Sequence, residues 1–269
     1  TVSSHHFVSE GDLPRDVAEI DLACVALPDD RTLVVLQRAR TTGRVWLREV
    51  KGLFLQVPND LFNGMARTYR HAGGAMALPG CPGEAEVRPI PGNWLNVAGR
   101  LGVVRLYGPD LCLSRPPDRQ ITIAPSPHQP YAALGGGTLY ADEICGGCVV
   151  GAQAYDAQTA LFDLGAVLLA GATAGETARF AQAHGSAVLA THSPDTRGVL
   201  VTGADERRYL ILANFGDEEA VAPAAGRDAP QVLAGAAAQS MGGRRQLVIP
   251  PRQVAVASGL HAGQAEARP

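Results

Sequence analysis

The chain is poor in lysine and in long apolar runs, and each shortage excludes a class of partner. Lys51 is the only lysine among 23 basic residues, and the formal net charge of -3 provides no positive field for nucleic acid or an anionic membrane. The longest apolar run, at 164–172, is interrupted by two glycines and is far shorter than the roughly 20 residues that span a bilayer. We therefore expect neither a nucleic-acid partner nor a membrane span, and the sequence indicates no particular compartment.

Complete metal or redox motifs are also lacking. The five cysteines are an odd number, and only Cys145 and Cys148 have C-x-x-C spacing. A thioredoxin-like site needs such a pair at a helix N-terminus, whereas the preceding YADEI is typical of a strand. Zinc would need a second pair, and the sequence has no other C-x-x-C and no H-x-x-x-H. We predict a turn with two incidental thiols or a small local disulfide, and we predict no metal site and no cofactor.

Period-two hydrophobic patterns dominate what is present. The segment 19–26 alternates apolar and polar residues, and 32–39 (TLVVLQRA) is typical of a strand that is buried on both faces. Further short runs of this kind recur along the chain, separated by Pro and Gly clusters, which favours a sandwich or barrel over alternating β-α units. In 216–244 the composition of Ala, Gly, Asp and Glu predicts long exposed loops instead.

One helix is predicted after residue 173. Thr173 and Glu176 form an S/T-x-x-E capping box, and Gly185 provides a C-terminal stop. The surrounding LLAGATAGETA also resembles a phosphate-binding loop, but Glu176 occupies the position where that motif needs a lysine. A capped helix that covers a sheet edge or an end of the sandwich is therefore the preferred interpretation.

The pattern predicts an all-β fold in two parts. We expect a large antiparallel β-sandwich, supersandwich-like and with one short helix, over 1–205, followed by a small C-terminal β-sandwich over 206–262. Residues 263–269 have no periodicity and are expected to form a tail.

Two polar segments are the candidates for ligand binding. In GNWLNVAGRLGVVRLYG (92–108) an indole and two amides precede a strand-like run, and in 51–71 amide, acidic, basic and aromatic residues cluster. An aromatic face with amide donors and acceptors is suited to holding a sugar ring. Turn formation by N-D and N-G, and packing of Trp94 in a sheet corner, are the structural alternatives. The candidate glycan contacts are Asn59, Asp60, Asn63, Arg67, Tyr69, His71, Asn93, Trp94 and Asn96.

Paired carboxylates for glycosidic cleavage are not evident. Asp142 and Glu143 are adjacent, and neighbouring residues of a strand point to opposite faces. They cannot form an acid/base pair by themselves, so the catalytic residues stay unknown.

The 92–108 stretch resembles a motif from the β-sandwich regions of bacterial glycoside hydrolases and polysaccharide lyases. There a G-x-W-x-N-x5-G run precedes a hairpin, matched here by Gly92, Trp94, Asn96 and Gly102. The runs YLILANF (209–215) and QVAVAS are similar to the small sandwich that closes many such enzymes. The resemblance implies a non-catalytic C-terminal part of a larger glycosidase-like protein, which buttresses an upstream catalytic domain and contacts a glycan or polysaccharide.

Three alternatives remain open. The chain is a stand-alone carbohydrate-binding module that captures polysaccharide through exposed Trp46 and Trp94, or it is a β-sandwich glycosidase or lyase that uses carboxylates such as Asp60, Asp142 or Glu143, or it has a structural role only. The aromatic content of 5% is low for a binding module, because such surfaces use several rings.

Overall fold

A computed structural model describes residues 2–9, 16–58, 67–78, 86–115, 121–122, 138–139, 141–184, 188–189, 193–223, 231–241 and 244–258. Within these residues the chain forms antiparallel strands and a single helix, so the predicted all-β class is confirmed. The first fourteen strands are β1 (Val2–Ser9), β2 (Asp16–Ala26), β3 (Thr32–Thr41), β4 (Val45–Pro58), β5 (Arg67–His71), β6 (Gly74–Leu78), β7 (Glu86–Pro89), β8 (Trp94–Val97), β9 (Leu101–Tyr107), β10 (Leu111–Arg115), β11 (Ile121–Thr122), β12 (Thr138–Leu139), β13 (Ala141–Tyr155) and β14 (Ala160–Ala170). After helix α1 (Ala174–Ala183) come β15 (Val188–Leu189), β16 (Thr196–Thr202), β17 (Arg208–Asn214), β18 (Ala220–Pro223), β19 (Gln231–Ala234), β20 (Ala237–Met241), β21 (Arg244–Ile249) and β22 (Val254–Ser258).

The strands build four larger sheets. An eight-stranded sheet has the order β1-β2-β3-β14-β9-β8-β5-β6, and a four-stranded sheet has the order β4-β13-β10-β7. A five-stranded sheet (β15-β16-β17-β22-β19) and a three-stranded sheet (β18-β21-β20) are formed by the C-terminal strands. A short β11-β12 pair is separate from these four.

Three apolar layers lie between the sheets. The first, which includes Val35, Leu113 and Ile144, separates the four-stranded from the eight-stranded sheet. The second joins the eight-stranded sheet to the five-stranded sheet, and the third fills the space between the five-stranded and three-stranded sheets. Successive residues of a strand point to opposite faces, so a strand of an inner sheet contributes to two layers.

This layering explains the strands that are apolar on both sides. On β3, Val34 packs toward the five-stranded sheet and Val35 toward the four-stranded sheet, and both are buried. On β17, Ile211 and Leu212 divide in the same way between the second and third layers. Burial of 32–39 on both faces, as its sequence predicts, is confirmed.

The predicted helix and its N-terminal cap are confirmed. The Thr173 hydroxyl oxygen accepts from the Glu176 N–H at 3.2 Å, and the Glu176 carboxylate accepts from the Thr173 N–H at 2.7 Å. Helix α1 packs on β8 and β9, with Ala181 in the second apolar layer. Gly185, the predicted stop, lies outside the described residues, and the C-cap residue is His184. No helix in the described ranges is long and apolar enough to cross a membrane.

Two local predictions are wrong. The stretch 216–244 is not loop alone, because it contains β18, β19 and β20. The CGGC segment is not a turn but part of β13, and its two cysteines are free thiols, without the predicted local disulfide.

The predicted division at residue 205 falls inside the β16–β17 hairpin, whose strands pair from Thr196 with Asn214 to Thr202 with Arg208. The predicted tail, 263–269, lies outside the described residues.

Candidate functional site

The predicted glycan residues fall into two groups. Asn59, Asp60 and Asn63 lie outside the described residues, and of Arg67 only the main chain, at the start of β5, is described. The others lie on or beside neighbouring strands of the eight-stranded sheet, because β5 pairs with β8 through Tyr69–Val97 and His71–Leu95. The sheet therefore brings Tyr69, His71, Asn93, Trp94 and Asn96 into one region.

Tyr69 and His71 are buried in that region. The Tyr69 side chain is fully buried and its hydroxyl donates to Asp142 Oδ2 at 2.5 Å. His71 is 9% exposed, and its Nδ1 accepts from the Gly73 N–H at 3.1 Å. The Tyr69–Asp142 hydrogen bond joins the eight-stranded sheet to the four-stranded sheet, and the His71–Gly73 hydrogen bond holds the β5–β6 turn. Little of either side chain is left for a glycan.

Asn96 is fully buried and attaches helix α1 to the sheet. Its Nδ2 donates to the Ala172 carbonyl at 2.8 Å and to Thr177 Oγ1 at 3.0 Å, while its Oδ1 accepts from the Gly99 N–H at 2.9 Å. Gly102 is required beside this contact, because a Cβ there would lie 2.5 Å from Thr177 Oγ1. The Asn and second Gly of the G-x-W-x-N-x5-G motif thus serve helix docking.

Trp94 is half-buried and packs against the second apolar layer. The preceding Asn93 is also half-buried, and its carbonyl accepts from the Arg105 N–H at 2.7 Å. Packing, which is the structural alternative for Trp94, thus accounts for most of its environment.

Trp46 differs from these residues because its side chain is exposed. It lies on β4, at the edge of the four-stranded sheet, and is 68% exposed. Its partner on β13 is Ala154, whose single methyl group does not cover an indole. The indole therefore offers a ring face to solvent.

Two charged residues lie next to the Trp46–Ala154 pair along their strands, Arg44 before β4 and Asp156 after β13. Arg44 Nε and Asp156 Oδ1 are 3.9 Å apart, and both side chains are largely exposed. Pairing of Val45 with Tyr155 brings the two turns together, and the Thr41 hydroxyl donates to the Asp156 carbonyl at 2.5 Å. Sequence reasoning identified Trp46 but missed Arg44 and Asp156, because their proximity depends on the register of two strands that are distant in sequence. The three residues Arg44, Trp46 and Asp156 are called the Trp46 surface below.

A cavity of about 660 Å³ lies between helix α1 and the 202–206 turn, and none of the predicted glycan residues lines it. Several of its polar side chains hold the fold together: Arg31 Nε donates to the Ala170 carbonyl at 3.1 Å, and Glu176 caps the helix. His184 Nε2 accepts from the Thr202 N–H at 2.8 Å, and its Nδ1 lies 2.8 Å from the Phe180 carbonyl. Burial lowers the pKa of His184, so the ring is neutral at pH 7.

The carboxylates Asp142 and Glu143 face opposite sides of β13, as strand geometry requires. Asp142 points inward to Tyr69, whereas Glu143 accepts from Lys51 Nζ at 2.5 Å on the outer face. Both are about 1% exposed. Asp60, the third carboxylate considered for catalysis, lies outside the described residues.

No protein-family model matches the chain, and a search of curated proteins finds no similar sequence. A function for the chain must therefore be inferred from its own residues.

Proposed function

We propose that this chain is a non-catalytic β-sandwich part of a carbohydrate-active protein, and that it contacts glycan through the Trp46 surface. The exposure of Trp46 on an edge strand is the observation that carries this proposal. In a glycoside hydrolase such a part would buttress a catalytic domain and hold the polysaccharide near it. The motif resemblance of 92–108 adds support of a weaker kind.

The chemistry of the Trp46 surface suits a sugar ring. The C–H face of a pyranose packs on an indole, and the hydroxyl groups around it need charged or amide partners. Arg44 supplies donors and Asp156 supplies acceptors at the adjoining ends of the two strands that carry Trp46 and Ala154. The small side chain of Ala154 leaves room for the ligand on the strand next to Trp46.

A non-catalytic role is supported by the environment of the described carboxylates. Glycosidic cleavage needs two carboxyl groups that flank the scissile bond. Asp142 and Glu143 are buried on opposite faces of one strand, in contact with Tyr69 and Lys51 respectively. Neither reaches a cleft together with the other.

Binding of soluble polysaccharides, measured by affinity electrophoresis and by calorimetry, tests this proposal. We expect at least one neutral glycan to bind, and W46A to weaken its Kd by about tenfold, which corresponds to about 1.4 kcal/mol. F54A is the matched control, because Phe54 is another exposed aromatic residue on β4, 41% exposed and eight positions from Trp46. The proposal is wrong if no polysaccharide binds, or if W46A and the parent protein bind equally.

Iodide quenching provides an independent test of the surface. The chain has two tryptophans, so W46F leaves Trp94 as the single indole emitter. We expect strong quenching of the parent protein, weak quenching of W46F, and protection of the parent from iodide when the glycan binds. Equal quenching of both proteins would show that Trp46 is not the accessible indole.

A further inference from the structure

Three cysteine side chains meet on the outer face of the four-stranded sheet. Cys112 on β10 pairs directly with Cys145 on β13, and their Sγ atoms are 3.3 Å apart. Cys148 completes the cluster, and all three Sγ atoms lie within 4.8 Å of one another. We call these residues the three-thiol cluster. Leu111, Leu113 and Ile144 point to the opposite face, into the first apolar layer.

A β-bulge places Cys148 beside Cys145. In a regular strand, residues three positions apart point to opposite faces. On β13, however, three steps from Gly146 to Val149 match only two steps on β4, from Gly52 to Val50. The extra residue reverses the alternation, and the side chain of Cys148 therefore returns to the face that carries Cys145.

Gly147 makes this bulge possible. Its φ is +61°, a left-handed conformation that favours glycine, and a Cβ there would lie 2.7 Å from the Pro109 ring. Its N–H donates to the Asp110 carbonyl at 3.0 Å, so the bulge is tied to the turn before β10. The same turn leads into Cys112. The Gly-Gly pair of CGGC is therefore what brings the three sulfur atoms together.

We propose that the three-thiol cluster binds one thiophilic d10 cation, namely Zn²⁺, with the three cysteine sulfur atoms as its ligands. Thiolates bound to a single Zn²⁺ at about 2.3 Å lie about 3.8 Å apart in tetrahedral geometry. The Cys112 and Cys145 Sγ atoms are 3.3 Å apart and no Sγ separation in the cluster exceeds 4.8 Å, so the ion requires only small side-chain adjustments. Cys145 is fully buried and Cys148 is half-buried, and the latter gives the ion access from solvent.

The three thiols of the cluster differ in acidity. A hydrogen bond from Cys145 lowers the pKa of Cys112 to about 7 against the opposing effect of burial, and contacts with Cys148 and the nearby Lys51 charge add to this effect. The Cys145 partner has a raised pKa because it shares its proton with Cys112 and is buried. Burial also raises the pKa of Cys148, to about 11. A thiophilic cation that binds the three sulfur atoms displaces the thiol protons.

Lys51 is a cation near the three-thiol cluster. Its side chain is 6% exposed and lies between Glu143, at 2.5 Å, and Glu49. Three thiolates around Zn²⁺ carry a net charge of about -1. Lys51 is a cation near them, although Glu143 and Glu49 already pair with it.

Titration with Co²⁺ tests the metal site. The experiment uses reduced protein in the double variant C24S/C81S, which keeps the three cluster thiols alone. We expect a thiolate-to-cobalt charge-transfer band that saturates at one equivalent, and displacement of Co²⁺ by Zn²⁺. C148S in the same background is expected to lose the band, because it removes one of the three thiolate ligands. Cys148 is half-buried, so the fold is expected to tolerate the serine. A band of equal intensity in C148S, or none in C24S/C81S, would overturn the proposal.

Thermal unfolding supplies a readout that does not depend on colour. Zn²⁺ that binds only the folded chain raises its Tm, and we expect this rise in C24S/C81S but not when C148S or C112S is added. Both variants are compared without metal first, so that a folding defect is distinguished from lost binding. A Zn²⁺-dependent rise that persists in both would contradict the assignment. So would a stable Cys112–Cys145 disulfide, detected by mass spectrometry in protein purified under reducing conditions.

Discussion

Asn96 shows how a polar residue with sugar-binding chemistry can serve the fold instead. Its position beside an indole and before a strand is evident in the sequence. Its partners are not, because Ala172 and Thr177 follow 76 and 81 positions later and meet it only through tertiary packing. A side chain that uses both its amide nitrogen and its amide oxygen within the protein has little left for a ligand.

We predict that N96A lowers the free energy of unfolding by about 1–3 kcal/mol. The substitution leaves buried hydrogen-bonding groups of Ala172, Thr177 and Gly99 without their partner. Urea denaturation followed by circular dichroism measures the change. N93A is the control, because it keeps the main-chain carbonyl that accepts from Arg105, and we expect a change below about 0.5 kcal/mol. Equal losses in the two variants would contradict the anchoring role of Asn96.

His184 predicts a pH dependence of stability. Burial lowers its pKa in the folded chain below the ordinary value near 6.5, so the unfolded chain takes up a proton at a higher pH than the folded one. Its contribution to folding is therefore complete above about pH 6.5 and is lost as the pH falls toward the folded pKa.

Thermal melts between pH 7.5 and 5 measure this effect. We expect the parent protein to lose Tm through this window, and H184Q to show a lower Tm at pH 7.5 but a flatter profile. The contribution of Asp29 to stability is lost in a different pH range. Although burial opposes them, hydrogen bonds from Thr32, Arg31 and Ala204 lower the pKa of Asp29 below that of a free carboxyl group, so its contribution is lost only below the pKa of a free carboxyl group. A parallel slope in H184Q would assign the loss to other groups.

At the scale of elements, local signals were enough for the helix but not for the bulge. The capping box of Thr173 and Glu176 acts over three residues and could be predicted. The glycines of CGGC predict a turn, whereas pairing with β4 and β10 overrides that preference. The strands of 216–244 were missed for a similar reason, since their short Ala-containing runs take their order from neighbouring strands.

We predict that G147A is more destabilising than an ordinary substitution at a left-handed glycine. Gly99 is the matched control, with φ +69° against +61° at Gly147 and no atom within 4 Å of a Cβ. G99A is expected to cost about 1–2 kcal/mol from backbone strain alone. G147A adds the 2.7 Å contact with Pro109, and should also weaken Co²⁺ binding, since the bulge orients Cys148. Equal stability and equal Co²⁺ binding in both variants would show that this bulge is not required.

In the part of the chain that the structure describes, the four larger sheets are stacked, and only part of that order could be predicted. Segments that are apolar on both faces, such as 32–39 and 209–215, indicate inner strands, and they do lie in the two inner sheets. The division near residue 205 into a large and a small sandwich stays a prediction. The hydrogen-bonded β16–β17 hairpin and the apolar layer shared by the eight-stranded and five-stranded sheets cross that point.

Charged residues reinforce this shared layer at one side. Asp21 on β2 accepts from Arg38 Nε at 2.7 Å and from Arg252 at 2.8 Å, which joins the eight-stranded sheet to the turn before β22. Arg38 also donates to the Phe215 carbonyl at 3.1 Å and stacks over the Phe215 ring. Asp21 is 3% exposed, so its charge is shielded from solvent and its ion pairs are stronger than those at the surface.

We predict that D21N lowers the free energy of unfolding by about 3 kcal/mol, because two partly buried guanidinium groups lose the carboxylate between them. D156N is the control: its ion pair with Arg44 is solvent-exposed, and we expect a change below about 1 kcal/mol. Chemical denaturation followed by circular dichroism measures both. If Asp21 holds the N-terminal and C-terminal sheets together, D21N should also broaden the transition or divide it in two, because the halves then unfold with less cooperation. A single sharp transition with unchanged stability would mean that the apolar layer alone joins the sheets.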